Sequence, residues 1–477
     1  MKAKDVLIVG AGIAGCAVAL ALAKRGIPVT IVTSSNDQRV YHASFIQQDD
    51  LEEKIQELQA SVTFQLSCSR ANEQLIHLAR PSVNELLEPH YLIDRHGNID
   101  LYRCLQEQLK QLEHVEWLSS HTLIDLITLD RYSLKQADRY KRPTCLGIVT
   151  YHHETQQLNH IFAKETILAT GGATSLFSHS THSSMARGEG LAIAYRAGVR
   201  LLNMEQIQFH PLGLFERDRP CFPLPLEILE GECRLHAEKA APLALSYSSQ
   251  ELLHQLYDQM LYKRTEHLWL DLTLLDTVEL KDKFPTIDSY CLNHGWNIAK
   301  DPLPIVPVAR YTCGGIAVDR VGQTNVHRLR AIGEVSCTGL FSDFQEEALS
   351  VLESLTWAIS CAEDLTKQIN KLIYYFPDIK EKHPLDSFAV IPEDWQILRE
   401  VMWAYLGIKR DRPHVERGLA ILEQLRRAQL VEGQIPQSVA AIQLDHAIQT
   451  AQLIGQAAYE RLTTNSSHMP NLQFSPV

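Results

Sequence analysis

No two of the ten cysteines stand at C-x-x-C spacing; they scatter over positions 16, 68, 104, 145, 221, 233, 291, 313, 337 and 361. That spacing speaks against a zinc ribbon or a redox pair and for thiols used as small hydrophobes in a reducing compartment. No apolar run reaches the about 18 residues a membrane span requires. Positive charge is in deficit, with 45 Lys and Arg against 57 Asp and Glu and a net charge of -12. A general nucleic-acid binder needs the opposite balance to neutralise phosphates. Lys2 and Lys4 ahead of an apolar stretch imitate a signal peptide. Glycines at nucleotide-binding spacing and the Lys24-Arg25 pair argue for a cytoplasmic chain instead. There is no internal repeat, no metal-ligand spacing and, in the second strand, no acid where many dinucleotide folds carry one. What remains is a 477-residue chain, 45% hydrophobic and 21% charged. Those values fit two or three globular domains with a large core.

The chain is organised around residues 1–35. Asp5-Val-Leu-Ile-Val9 is a buried-strand run, Gly10-Ala11-Gly12-Ile13-Ala14-Gly15 follows, a helical pattern continues to Arg25-Gly26, and Val29-Thr-Ile-Val32 is a second strand. Strand, turn, helix and strand with G-x-G-x-x-G at the first junction is the dinucleotide-binding pattern. Gly10 makes the sharp turn, Gly12 lets the backbone close on a diphosphate, and Gly15 lets helix and strand pack. The helix N-terminus offers unpaired N–H groups to that anion. The second strand ends Thr33-Ser34-Ser35, so hydroxyls replace the usual acid as candidate ribose ligands.

Farther on, Asp49 to Gln59 reads as a charged helix, and residues 60–95 give no strand alternation. Leu101 to Leu112 is an amphipathic helix, Val115 to Leu118 a strand, 130–143 an exposed loop or hairpin, and Leu146 to Tyr151 a strand. Thr166-Ile-Leu-Ala-Thr170-Gly171-Gly172 is another strand entering a glycine turn, where the chain returns to the nucleotide fold. Gly188-Glu189-Gly190 opens a helix ending near Gly198. Residues 203–300 carry little period-2 pattern apart from a strand at 268–272, and Pro302 to Pro307 reads as a rigid connector. Strands return over 311–341, a helix follows over 348–368, and 395–461 reads as three helices.

Several of these stretches carry a family likeness. They are Asp5–Gly15 (DVLIVGAGIAG), Ile167–Ala173 (ILATGGA), Gly188–Gly198 (GEGLAIAYRAG), Gln206–Leu214 (QIQFHPLGL), Pro304–Asp319 (PIVPVARYTCGGIAVD), Ala331–Leu340 (AIGEVSCTGL) and Leu398–Leu425 (LREVMWAYLGIKRDRPHVERGLAILEQL). Together they resemble the fumarate reductase/succinate dehydrogenase flavoproteins, and within them the L-aspartate oxidase branch. The resemblance implies an α/β fold: an FAD-binding Rossmann-like (GR2-type) domain from residues 1–202 and 308–370, an α+β capping domain over 203–307, and a C-terminal helical bundle over 371–477. It implies FAD, oxidation of L-aspartate or another dicarboxylate to an imino acid feeding NAD synthesis, and oxygen or fumarate as electron acceptor. A dicarboxylate needs cations or donors at both ends, and its hydride must lie at near-attack distance from the cofactor.

On this resemblance the catalytic candidates are His210 in the Phe-His-Pro turn, Glu227, and Arg310, which stands where the family has a histidine. The cofactor candidates are Gly10, Ala11, Gly12, Ile13, Ala14, Gly15, Ser34, Ser35, Thr170, Gly171, Glu189, Glu334, Ser350 and Val351. Glu232, in Gly231-Glu-Cys, matches a Gly-Glu pair of the family. Other positions depart from it. Ala241-Pro242-Leu243-Ala244 and Gln345 stand where arginines are expected, Leu226 and Leu349 replace a Thr and an Asn, and Tyr41 to Gln48 is a remnant of the flavin-wrapping stretch. Truncating one member of a desolvated charge pair costs about 2–5 kcal/mol. Two alternatives therefore stand beside the aspartate oxidase: a catalytically silent member retained for binding, and an FAD oxidoreductase for another substrate.

Overall fold

The computed structural model describes residues 3–34, 45–47, 56, 69–87, 98–182, 185–217, 219–230, 233–237, 249–340, 347–374, 378–379, 392–429 and 438–464. Its first strand, Lys4–Val9, is apolar on both faces because both faces are covered. Val6 and Ile8 enter one core together with Val29, Ile31 and Ile167. Leu7 and Val9 enter the opposite core together with Val32 and Leu168. A seven-stranded sheet results, ordered Val115–Leu118, Val29–Val32, Lys4–Val9, Gln157–Leu168, Cys145–His152 and His121–Thr128, with Leu329–Ala331 pairing beside Gln157–Leu168. The strands nearest the glycine turn run parallel, and the hairpin at the far edge is antiparallel.

The fingerprint helix Ile13–Lys24 has an apolar circumference, and Gly15 through Ala23 are all buried. A helix hydrophobic all round must be enclosed, and this one lies under Ser69–Leu86, Leu101–Lys110 and Glu347–Gln368. Its alanines let those neighbours approach closely. On the other side of the sheet, Leu191, Ile193 and Ala194 of the Glu189–Arg196 helix share one core with Leu398, Met402, Leu422, Ile448 and Ile454. The three C-terminal helices, Pro392–Leu406, Arg412–Gln429 and Val439–Thr463, thus pack onto the nucleotide fold. They occupy the stretch read as three helices.

The structure departs from the sequence reading at three places. Within residues 60–95, read only as lacking strand alternation, Ser69–Leu86 is a helix carrying Pro81. Residues 130–143 hold two short helical turns, Leu129–Tyr132 and Gln136–Tyr140, rather than a hairpin. The lobe over 203–300 contributes to a five-stranded antiparallel sheet, ordered Phe222–Pro223, Ile207–Leu214, Leu303–Thr312, Leu268–Asp271 and Arg234–His236. The expected connector at Pro302 to Pro307 is the start of its central strand, Leu303–Thr312. Proline is tolerated there because the register shifts between His210 and Gly213, opposite Val308 and Val306. Pro211 and Pro307 both fall inside that irregularity, where no ladder N–H is required. The charged helix expected over 49–59 lies, apart from residue 56, outside the described residues.

Candidate functional site

The turn after the first strand is closed by backbone alone. Gly10 donates to Val32 O at 2.9 Å, and Ala169 donates to Val9 O at 2.8 Å. Gly10 has φ +108°, and a Cβ on it would stand 2.1 Å from Ala169 O. A Cβ on Gly15 would stand 2.0 Å from Gly10 O. Gly12 is different: it is exposed, caps the helix with no side chain, and has no atom within 4 Å of where its Cβ would be. Two glycines are therefore required by the protein's own packing, and the third faces open space at a helix N-terminus. No acid in the first helical turn competes for that end. Ala11, Ile13 and Ala14 line it while resting on the core beneath.

Gly171 repeats the arrangement, with φ +76° and nothing within 4 Å. Beside it Thr170 Oγ1 is a buried hydroxyl without a hydrogen-bond partner among the described residues, against which a Cβ on Gly190 would press at 2.0 Å. Gly333, φ +75°, brings the Glu334 turn onto the fingerprint helix; a Cβ there would lie 2.5 Å from the Ala14 Cβ. Glu334 Oε1 accepts from the Thr312 N–H at 2.9 Å, and Thr312 Oγ1 accepts from the Ala173 N–H at 2.9 Å. The other oxygen, Oε2, faces His182 Nε2 at 3.6 Å, and the same ring contacts Thr174 Oγ1 at 3.1 Å through Nδ1. Thr170, Gly171, Ala14 and Glu334 are thus drawn together.

Glu189 opens the helix Glu189–Arg196, whose N-cap is Gly188 at φ +73°. Burial pushes its carboxyl up to about 7; the nearby Arg187 charge and a hydrogen bond from Gln443 Nε2 at 3.2 Å oppose that shift. Gln443 comes from the last helix, so the C-terminal bundle reaches this turn. Ser34 is half-buried just past the second strand, and Ser35 lies outside the described residues. Ser350 is half-buried on the helix Glu347–Gln368, and Val351 is buried in the core that carries the fingerprint helix.

His210 stands at the register shift of its strand, the kind of irregularity that re-aims a side chain. Its Nε2 lies 2.6 Å from Leu224 O. A carbonyl only accepts, so this nitrogen carries the hydrogen and Nδ1 presents a lone pair in the neutral ring. Burial first, and the Arg310 charge second, push the imidazole down to about 4. The structure therefore brings His210 and Arg310 together. Glu227 is exposed on the short turn Leu226–Leu229, three residues beyond Leu224. Two further arginines are placed elsewhere: Arg187 stacks over the Trp395 ring at 4.5 Å, and Arg234 is exposed on an edge strand. The 241–244 segment, Glu232 and Gln345 lie outside the described residues.

Sequence reasoning missed His182 and Gln443. Neither sits in a glycine motif; a histidine eight residues past Thr174 in a Ser/Thr-rich stretch was the available signal for the first. Among the described residues no group of three or more His, Cys, Asp or Glu could hold a metal ion, and no helix is long and apolar enough to cross a membrane.

A family model described as FAD binding domain matches residues 5–48 and 49–345. The L-aspartate oxidase of Acinetobacter baylyi is 27% identical over 514 residues, covering 97% of this chain and 92% of that protein. The L-aspartate oxidase of Yersinia pestis is 28% identical over 519 residues, covering 97% and 95%. That of Pseudomonas aeruginosa is 31% identical over 329 residues, covering 66% and 60%. Among solved structures, the Mycobacterium smegmatis Sdh1 in complex with UQ1 superimposes with a TM-score of 0.78 at 19% identity, covering 97% of this chain and 87% of that one. The E. coli quinol fumarate reductase flavoprotein does so with a TM-score of 0.75 at 17% identity, covering 99% and 93%. These two carry the fold alone. FAD is the cofactor indicated, and it fits the open Gly12 and Gly171 and the unpaired Thr170 hydroxyl.

Proposed function

The chain belongs to the FAD binding domain family, and from that premise we propose that it is an FAD-dependent oxidoreductase that oxidises L-aspartate, or a close dicarboxylate analogue, to the imino acid in the cytoplasm. The observation that carries the cofactor half is the contrast among the fingerprint glycines. Gly10 and Gly15 are required by contacts within the chain, whereas Gly12 faces open space at an uncapped helix end. The substrate half rests on the L-aspartate oxidases aligned over most of the chain and on Arg310 beside His210.

Bound FAD supplies a two-electron acceptor, later reoxidised by oxygen or fumarate. The Gly12 end of the fingerprint helix would hold its diphosphate, Ser34 and Ser35 are the candidates for its ribose, and Thr170, Glu189, Glu334, Ser350 and Val351 are the candidates for the remainder. Arg310 presents a fork of N–H donors to one substrate carboxylate. The neutral His210 ring accepts a hydrogen bond from the substrate amine through Nδ1, helping to orient the Cα–H bond. Glu227 is the candidate acid at the mouth.

The test is the visible absorbance of the purified protein before and after anaerobic addition of L-aspartate. A yellow protein bleached by aspartate supports the reading; a protein colourless even after reconstitution with FAD sinks it. A second reading, a member that binds FAD without oxidising aspartate, is favoured by Leu243 and Gln345 at two expected arginine positions. It predicts a yellow protein that aspartate never bleaches.

A further inference from the structure

Behind the Glu334 turn lies a second carboxyl that none of the foregoing chemistry uses. Glu353, on the helix Glu347–Gln368, is 3% exposed. Thr338 Oγ1 lies 2.5 Å from Glu353 Oε1 and accepts from the Leu340 N–H at 3.2 Å, so the hydroxyl hydrogen points to Glu353. Glu353 Oε2 lies 3.4 Å from the Tyr311 hydroxyl. Tyr311 precedes Thr312, whose N–H is held by Glu334. Two carboxyls therefore grip successive residues of one strand, Glu353 by a side chain and Glu334 by an amide. Both residues follow Arg310.

We propose that Glu353 is a positioning residue held as a neutral carboxylic acid, which fixes the Tyr311–Thr312 strand end behind the Glu334 turn. Oε1 accepts from the Thr338 hydroxyl, and Oε2 faces the Tyr311 hydroxyl at 3.4 Å. The Glu334 charge adds to the cost of ionising Glu353. Glu353 has the drier site. The titratable groups acting on it are Glu334, Tyr311 and the Cys337 thiol. Burial first, with Glu334 adding to it and the two hydroxyls opposing, pushes Glu353 up to about 8.

The test uses the full chain in two arms. In the first, thermal melts of the FAD-free protein are compared for wild type and Glu353→Gln across pH. A folded value above the unfolded one means stability is present at low pH and lost as pH rises through the folded value. Wild type should therefore fall relative to Glu353→Gln between about pH 5 and about pH 8, then run parallel to it. A constant separation across that window overturns the proposal. In the second arm, which rests on the FAD reading, affinity for FAD is followed by flavin fluorescence. Wild type should weaken about tenfold above pH 8 as Glu353 ionises beside Glu334, a change of about 1.4 kcal/mol, whereas Glu353→Gln stays level. Tyr311→Phe should weaken FAD at every pH. Parallel pH curves for wild type and Glu353→Gln overturn the proposal. Absence of FAD binding at every pH defeats the cofactor reading and leaves the first arm to decide Glu353.

Discussion

Thr450 closes a turn 262 residues earlier in the chain: its hydroxyl donates to Gly188 O at 2.8 Å, inside the buried seam between the last helix and the nucleotide fold. Gly188 in turn has room for no side chain, since a Cβ there would stand 2.5 Å from Thr450 Cγ2, and its φ of +73° disfavours one. The C-terminal bundle is thus keyed to the turn that presents Glu189. Thr450→Val keeps the shape and removes the side-chain donor from a Gly188 carbonyl that still accepts from the Leu191 and Ala192 N–H groups, a loss of about 0.5–1.5 kcal/mol. Gly188→Ala adds strain and should cost more. The pair shares one contact, so the double variant should fall short of the sum in thermal melts.

The three fingerprint glycines should separate in experiment. Gly10→Ala meets Ala169 O at 2.1 Å with an unfavourable φ, so the apo protein should lose more than about 1–2 kcal/mol of stability. A Cβ at Gly12 meets nothing among the described residues. The melting temperature of Gly12→Val without FAD should stay close to wild type, while FAD affinity drops at least about tenfold, roughly 1.4 kcal/mol. A Gly12→Val protein that binds FAD normally would show that this face is not the cofactor cradle.

The same contrast explains what could be read from the sequence. The apolar runs at Lys4–Val9 and Val29–Val32, the glycine turn and the amphipathic Leu101–Lys110 helix are local patterns, and each occurs where the pattern puts it. The Leu303–Thr312 strand was hidden because Pro304 and Pro307 argue against a central strand; the register shift opposite Pro211 makes room for Pro307, while Pro304 stands in the ladder opposite Trp269. Within the candidate site, the motif residues around Gly12, Gly171 and Glu334 were visible. Gln443 and His182 were not, because their roles come from long-range packing that leaves no spacing signature.

Arg330 shows how the Glu334 turn is anchored from below. It is 2% exposed, donates to Glu165 at 2.9 Å and to Asp364 at 2.6 Å, and bonds the Val321 carbonyl at 2.9 Å. Its strand, Leu329–Ala331, leads directly into Ile332-Gly333-Glu334. Arg330→Met leaves Glu165 buried without its cation and should destabilise by about 3–5 kcal/mol. Adding Glu165→Leu should recover a large part of that loss. A single variant as stable as wild type in denaturant titration would mean that the pair does not hold the turn.

His210 should stay neutral through the working pH range, because its folded value, about 4, lies below the ordinary 6.5. The unfolded chain therefore binds the proton more readily between those values, and stability contributed by the neutral ring is lost as pH falls from 6.5 towards 4. His179, also pushed down to about 4 by burial, acts in the same direction. His210→Gln should therefore shrink the acid loss of melting temperature without removing it. For catalysis the consequence is a missing titration: the rate at which aspartate bleaches the protein should show no step near pH 6.5 that depends on His210. A step there in wild type, absent from His210→Gln, would mean that the ring is protonated when substrate binds and donates to a carboxylate. Nδ1 would then be an N–H donor to the acid group rather than a lone pair accepting from the amine.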